Sequence, residues 1–234
     1  SMADAGLLGV TVPTEFGGGG MDVLYQCFVC EALAYWNHTL AASVLASDNL
    51  CVDNLVRNGS GMQKEQYFPK FCDGSYIGAL GMTEPGAGSD ALGSMSTTAN
   101  RVGDEYILNG RKLFITNGPV ADVLLVYAKT DRKKNKHGIS AFIVEKGFEG
   151  FSVAQKLDKM GWRGSPTGEL VFDDCIVPAE NLVGETGESL IHMMCNLEVE
   201  RLTLAAMSLG IARRCLAEMN QYATDRTAFG SQIR

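Results

Sequence analysis

No run of apolar residues in this chain approaches the ~20 that would cross a bilayer as a helix, so a helical membrane anchor is excluded. Positive charge is scarce as well. With 20 Lys and Arg against 27 Asp and Glu, the formal charge is -7, which argues against nucleic acid or an anionic membrane surface as the main partner. Only three histidines are present, His38, His137 and His192, and none belongs to a glycine-flanked serine motif, so no Ser/His/Asp elbow is available. The seven cysteines are odd in number and irregular in spacing, which implies reduced thiols in an intracellular compartment rather than a disulfide framework. Cys27 and Cys30 have metal-site spacing, but without a second pair or a nearby histidine they are expected to be two buried thiols on a helix.

What the chain does have is a polar, glycine-rich loop. Gly81-Met82-Thr83-Glu84-Pro85-Gly86-Ala87-Gly88-Ser89-Asp90 follows the apolar Ile77 to Leu80. Glycine admits close backbone approach, proline sets a turn, and hydroxyls with bare amides hold an anion or a polar heterocycle. The loop lacks the lysine of a phosphate-binding P-loop and the spacing of a dinucleotide fingerprint, so it specifies a polar ligand without saying which.

Around this loop the texture of the chain changes twice. Residues 1–75 read as helical: Gly17 to Gly20 form a connector, Asp22 caps a run from Val23 to Trp36, and further helices are expected over Leu40 to Val56 and Met62 to Phe71. Residues 76–183 read as short strands, with Asn109-Gly110 expected to turn a hairpin between Tyr106–Leu108 and Lys112–Thr116. Strands over Val123 to Lys129, Ile139 to Val144, Phe151 to Gln155 and Glu169 to Phe172 complete an expected antiparallel sheet or barrel, and Arg132 to His137 is expected to be a solvated tip. Residues 184–234 begin a second helical part, with Ser189 to Tyr222 as one or two long helices. The fold class is therefore α+β, with a β-domain set between helical segments. Ser1-Met2 reads as an appended start, no targeting peptide precedes Ala3, and both ends are expected to be cut from something longer.

The most specific chemical signal is a carboxylate on an apolar stripe. At steps of three and four residues, Glu200 shares a helix face with Met193, Leu197, Leu204, Met207 and Ile211. Such a carboxylate is either paired with a cation from another element or, desolvated, has the raised pKa of a general base. Spacing leaves both open. Glu198 is the rival candidate, with Arg201 three residues on as its expected partner.

Several segments carry a resemblance. GMTEPGAGSDALG (Gly81 to Gly93) resembles the first signature of the acyl-CoA dehydrogenase family, LNGRKLFITNG (Leu108 to Gly118) is similar to its second flavin-contacting strand, and GLLGVTVPTEFGGGGMD, KLDKMGWRGSPTGELVFDDCIVPAENLVG and DRTAFGSQI extend the likeness through nearly the whole chain. Asn196-Leu197-Glu198-Val199-Glu200-Arg201 is most similar to the members that act on a short branched acyl-CoA, which, like the long-chain members, carry their base at the position of Glu200. The resemblance implies FAD as cofactor, an N-terminal helical domain, a middle β-barrel domain and the start of a C-terminal helical domain. It further implies α,β-dehydrogenation with Glu200 as the base and electrons passed to electron transfer flavoprotein.

The same resemblance implies that Leu80, Met82, Thr83, Phe114 and Thr116 line the flavin, that Ser89 serves both cofactor and CoA, that Glu198 and Arg201 flank the substrate, and that Arg226 reaches FAD phosphates of a neighbouring subunit. A homotetrameric parent is implied, in the mitochondrial matrix if eukaryotic and otherwise cytoplasmic. Two departures stand out. Phe114 occupies a place where Trp is frequent, and Ile191 falls where the branched-chain members have Tyr, which bears on acyl preference. The alternatives are a dehydrogenase of another acyl length and a non-catalytic, FAD-free binding or assembly module.

Overall fold

A computed structural model describes residues 1–234. The first helix, α1 (Val23–Trp36), starts where expected because the Asp22 carboxylate accepts from the amides of Leu24 and Tyr25 at 2.9 and 3.3 Å. Cys27 and Cys30 are buried on it. Asn37 caps α2 (His38–Leu45) in the same way. The expected continuous helix beyond it is interrupted: over Ala46–Val52 the backbone widens into a π-helical turn before α3 (Asp53–Asn58). Helix α4 (Gly61–Cys72) opens with a reciprocal capping box between Ser60 and Gln63.

The middle of the chain is one eight-stranded sheet. Its elements in chain order are β1 (Gly78–Gly81), a short helix α5 (Ala91–Ser94), β2 (Thr98–Val102), β3 (Glu105–Thr116), β4 (Val123–Lys129), β5 (Ile139–Glu145), β6 (Phe151–Lys156), β7 (Thr167–Pro178) and β8 (Leu182–Val183). The spatial order is β6-β7-β3-β2-β4-β5-β8, with β1 laid against β4. Most pairings are antiparallel; those of β1 and β2 with β4 are parallel.

Asn109-Gly110 does not turn a hairpin. The two-residue turn lies at Gly103-Asp104, where Val102 pairs with Glu105, and β3 runs straight through Asn109-Gly110 with a bulge in its register against β7. The bulge uses the same residue chemistry that a turn would. Asn109 exchanges hydrogen bonds with Asp174, side chain to side chain and amide to side chain, each at 2.9 Å. Gly110 meets β2 so closely that a Cβ there would lie 2.7 Å from the Cα of Thr97. A second bulge follows between Lys112 and Ile115. It reverses the inward–outward alternation, so that Ile115 is buried and Phe114 is exposed.

Strands β4 and β5 are buried on both faces. Val123, Leu125, Tyr127, Ile139, Ala141 and Ile143 pack with Val52, Leu55, Tyr67, Phe68 and Phe71 of the helices. The alternate residues Leu124, Val126, Phe142 and Val144 join Leu108, Leu170, Phe172 and Val177 in a second core inside the curled sheet. At roughly 1.5–3 kcal/mol for each large apolar side chain removed from water, these two layers dominate stability. The chain closes with α6 (Ser189–Asp225), one helix of 37 residues, followed by the small pair β9 (Thr227–Ala228) and β10 (Ser231–Gln232). At Gly210, α6 crosses α1 so tightly that a Cβ would lie 3.0 Å from the carbonyl carbon of Glu31. No helix is long and apolar enough to cross a membrane.

Candidate active site

The first third, the sheet and α6 meet at a pocket of about 180 Å³ lined by Leu50, Leu80, Met82, Thr83, Phe114, Ile115, Thr116 and Glu200. Six of these are residues that the sequence nominates: Leu80, Met82, Thr83, Phe114, Thr116 and Glu200. They come from β1 and its following loop, from the end of β3, and from α6, segments separated by up to more than a hundred positions.

Each wall has a local cause. Leu80 faces the pocket from β1 while Ala79 faces the sheet core, following the strand alternation. Phe114 stands at the second bulge with φ 62°, a left-handed conformation rare for an aromatic residue, and the residue is 63% exposed. Leu50 arrives from the π-helical turn, which gives that stretch a different facing from the one a regular helix would give. The Thr83 carbonyl accepts from the Leu113 amide at 2.8 Å, joining loop and strand beneath the pocket floor.

Glu200 is half-buried on the expected stripe, with Met193 and Met207 buried above and below it. No Lys, Arg or His nitrogen of this chain approaches its carboxylate within 4.0 Å. Desolvation raises its pKa, and the charge of Arg201 offsets only part of that. The expected Glu198–Arg201 ion pair is also absent: both side chains are exposed on the outer face of α6 and lie further apart than 4.0 Å. Ser89 lies exposed in the glycine loop, just before the Asp90 cap of α5, and does not line the pocket. Arg226 caps the far end of α6, about 39 Å beyond Glu200 at ~1.5 Å rise per residue, so one copy of the chain does not bring the two together.

Two further residues support the site and were not singled out from the sequence. Glu84 and Lys112 form an ion pair at 2.9 Å with 2% and 0% of their side chains exposed. Glu84 also accepts from the Ser96 amide and hydroxyl and from the Thr97 amide. Burial works against its charge, but Lys112 and these donors outweigh it and hold its pKa down at about 2. Burial pushes the Lys112 ammonium downward, and the carboxylate beside it opposes that shift. Nothing local in the sequence marks this pair: Lys112 follows another cation, Arg111, on its strand, and Glu84 lies in the polar loop.

The chain matches the acyl-CoA dehydrogenase N-terminal domain over residues 1–75, the middle domain over 79–175 and the C-terminal domain over 190–234. The chain belongs to the acyl-CoA dehydrogenase family. It is 49% identical over 232 residues to an isovaleryl-CoA dehydrogenase, mitochondrial, of Arabidopsis thaliana, covering 99% of this chain and 56% of that protein. Among solved structures it superposes on butyryl-CoA dehydrogenase from Megasphaera elsdenii with a TM-score of 0.95 at 41% identity, covering 99% of this chain and 61% of that one. An acyl-CoA dehydrogenase complexed with FAD from Bacillus anthracis gives a TM-score of 0.93 at 38% identity, over 99% of this chain and 40% of that one. The chain thus spans a little over half the length of the first two of these relatives and 40% of the third.

The residues present fit a flavin. An exposed aromatic face at Phe114, apolar contacts from Leu80 and Ile115, and the hydroxyls of Thr83 and Thr116 suit a flat heteroaromatic ring with polar edges.

Proposed function

We propose that this chain carries the base and the flavin-facing walls of an FAD-dependent dehydrogenase that converts isovaleryl-CoA to 3-methylcrotonyl-CoA, a step of leucine catabolism. The reading rests above all on one observation: Glu200, unpaired within this chain and with a raised pKa, opens onto the same pocket as Leu80, Met82, Thr83, Phe114 and Thr116.

In this reading Glu200 removes the α-proton of the thioester, the hydrogen that the carbonyl acidifies. A carboxyl of raised pKa is the stronger base once ionised, and the apolar stripe around it keeps water from competing. Bound FAD would accept the β-hydrogen as a hydride. Leu80, Met82, Thr83, Phe114 and Thr116 would hold the ring, and Leu50 would limit the space left for the acyl chain. Ser89, Glu198 and Arg201, all exposed, would meet the CoA portion along the outer side of the loop and helix. Arg226, too distant to serve the pocket of its own chain, would serve the FAD of a neighbouring subunit in a homotetramer. Electron transfer flavoprotein would take the electrons, and the name of the plant relative points to a mitochondrial compartment.

In a chain extended to the full length of these relatives, Glu200→Gln should still bind FAD yet lose anaerobic bleaching by isovaleryl-CoA. Bleaching that survives removes Glu200 from the role. A second reading, preference for another acyl length, is favoured by the likeness to butyryl-CoA dehydrogenase and by Ile191, 68% exposed where the branched-chain members have Tyr. Comparing kcat/KM for isovaleryl, isobutyryl, butyryl and long-chain thioesters separates the two.

A further inference from the structure

The Glu84–Lys112 pair has a feature that a simple stabilising bridge does not need. Besides meeting Glu84 at 2.9 Å, the Lys112 Nζ donates to the backbone carbonyl of Met82 at 3.1 Å. Met82 and Thr83 are two of the pocket walls, and the next peptide, Thr83–Glu84, is tied in turn by the Leu113 amide, which donates to the Thr83 carbonyl. Lys112 and Leu113 therefore hold consecutive carbonyls of the glycine loop from adjacent positions of β3. The remaining bonds of Glu84 run to Ser96 and Thr97, so the carboxylate fastens the loop's return to the head of β2.

Gly81 belongs to the same arrangement. A Cβ there would press on a Val126 methyl at 3.3 Å and come into ordinary contact with Lys112 Cγ at 3.5 Å. A buried cation is costly unless every proton on it has a partner and its charge is met. A hydrophobic pair would fill the same space with less desolvation, but it would leave the Met82 carbonyl free to turn.

We propose that Lys112 is a positioning residue for flavin binding: by clamping the Met82 carbonyl it fixes the orientation of the Met82–Thr83 peptide against the cofactor, while Glu84 offsets the desolvation of the buried cation without itself setting the carbonyl's direction. The inference rests on the flavin reading of the pocket given above.

The test compares Glu84→Gln, Lys112→Met and the double variant Lys112→Met/Glu84→Gln in a chain extended to the full length of these relatives, with two readouts. Amide hydrogen exchange without cofactor reports the loop, and titration with FAD, followed by flavin fluorescence and the shape of its visible absorbance band, reports the consequence. Both variants lacking Lys112 should exchange the Leu113 amide at least tenfold faster, and their FAD dissociation constant should rise on the order of tenfold, the size of one lost hydrogen bond to a charged donor. Glu84→Gln, which keeps the ammonium on the Met82 carbonyl, should stay within about threefold of the parent in FAD affinity. The double variant, with no buried charge left over, guards against misfolding of Lys112→Met. Equal losses of affinity in Glu84→Gln and Lys112→Met, or parent-like exchange and affinity in the double variant, would overturn the proposal. A parent chain that exchanges as expected but takes up no FAD would overturn the flavin reading and the cofactor role of Lys112 together, leaving only a loop clamp.

Discussion

Asp48 offers a quantitative check on how the pocket wall is built. It sits on the π-helical turn two residues before Leu50, is 4% exposed, and has the Gly9 amide as its hydrogen-bond donor at 2.8 Å. Burial raises its carboxyl from 3.8 to about 7, with the Gly9 bond opposing. Because the folded-state pKa lies above the unfolded one, the native state binds the extra proton. Stability is therefore full below about pH 4 and falls as pH rises through about 7. Three pKa units at about 1.4 kcal/mol each make the loss roughly 4 kcal/mol above pH 7, of which only ~1.5 kcal/mol has accrued by pH 5.

Asp48→Asn keeps an oxygen for the Gly9 amide and removes the ionisation. Its new NH2 group faces a cavity of about 270 Å³ shared with Ser43, Ser47 and Asn117, and whatever that costs is the same at every pH. The variant's gain over the parent should thus be larger at pH 8 than at pH 5 by about 2–3 kcal/mol, which for a chain of this size is on the order of 5–10 °C in Tm. Urea or thermal denaturation at the two pH values measures it. Equal gains at pH 5 and pH 8 would show that Asp48 is not held protonated by its surroundings, and the reasoning would fail.

Other outcomes follow from single residues. Phe114→Gly should relieve a left-handed φ and stabilise the fold by up to about 1 kcal/mol in urea, while weakening FAD binding through loss of the ring, so stability and affinity move in opposite directions. Gly210→Ala should destabilise by about 1–3 kcal/mol, because the added methyl meets the Glu31 backbone rather than a movable side chain. Ser60→Ala, which opens the capping box of α4, should cost about 1 kcal/mol in the same assay. The raised pKa of Glu200 means that its ionisation weakens the fold as pH rises above 4.5, so Glu200→Gln should flatten the stability profile on the alkaline side.

The helices were legible because their signals are local. Asp22 marks the start of α1 two and three residues before the amides it caps, and the Glu200 stripe is read from one stretch of chain. Asn109-Gly110 shows where local signals fail: the residues that favour a tight turn also favour a bulge, and only the pairing of β3 with β7 along its whole length decides between them. The π-helical turn left no trace, since one extra residue in a turn barely disturbs the apolar pattern of Leu40 to Val56. Glu84 and Lys112 are too far apart in the sequence for spacing to relate them. Whether Glu200 was paired or unpaired was likewise undecidable from its own helix, because the partner, if any, had to come from elsewhere in the fold.

Helix α6 also has the proportions of a lever. It is gripped where Gly210 meets Glu31, about 15 Å from Glu200 on one side and about 24 Å from Arg226 on the other. Rotating a stiff rod by one degree about that fulcrum moves the carboxylate by roughly 0.3 Å and the distant guanidinium end by roughly 0.4 Å, in opposite directions. A tilt of α6 at that crossing would thus change the depth of the Glu200 side chain in its pocket and the seating of the helix's remote end together, with the smallest residue in the chain as the pivot.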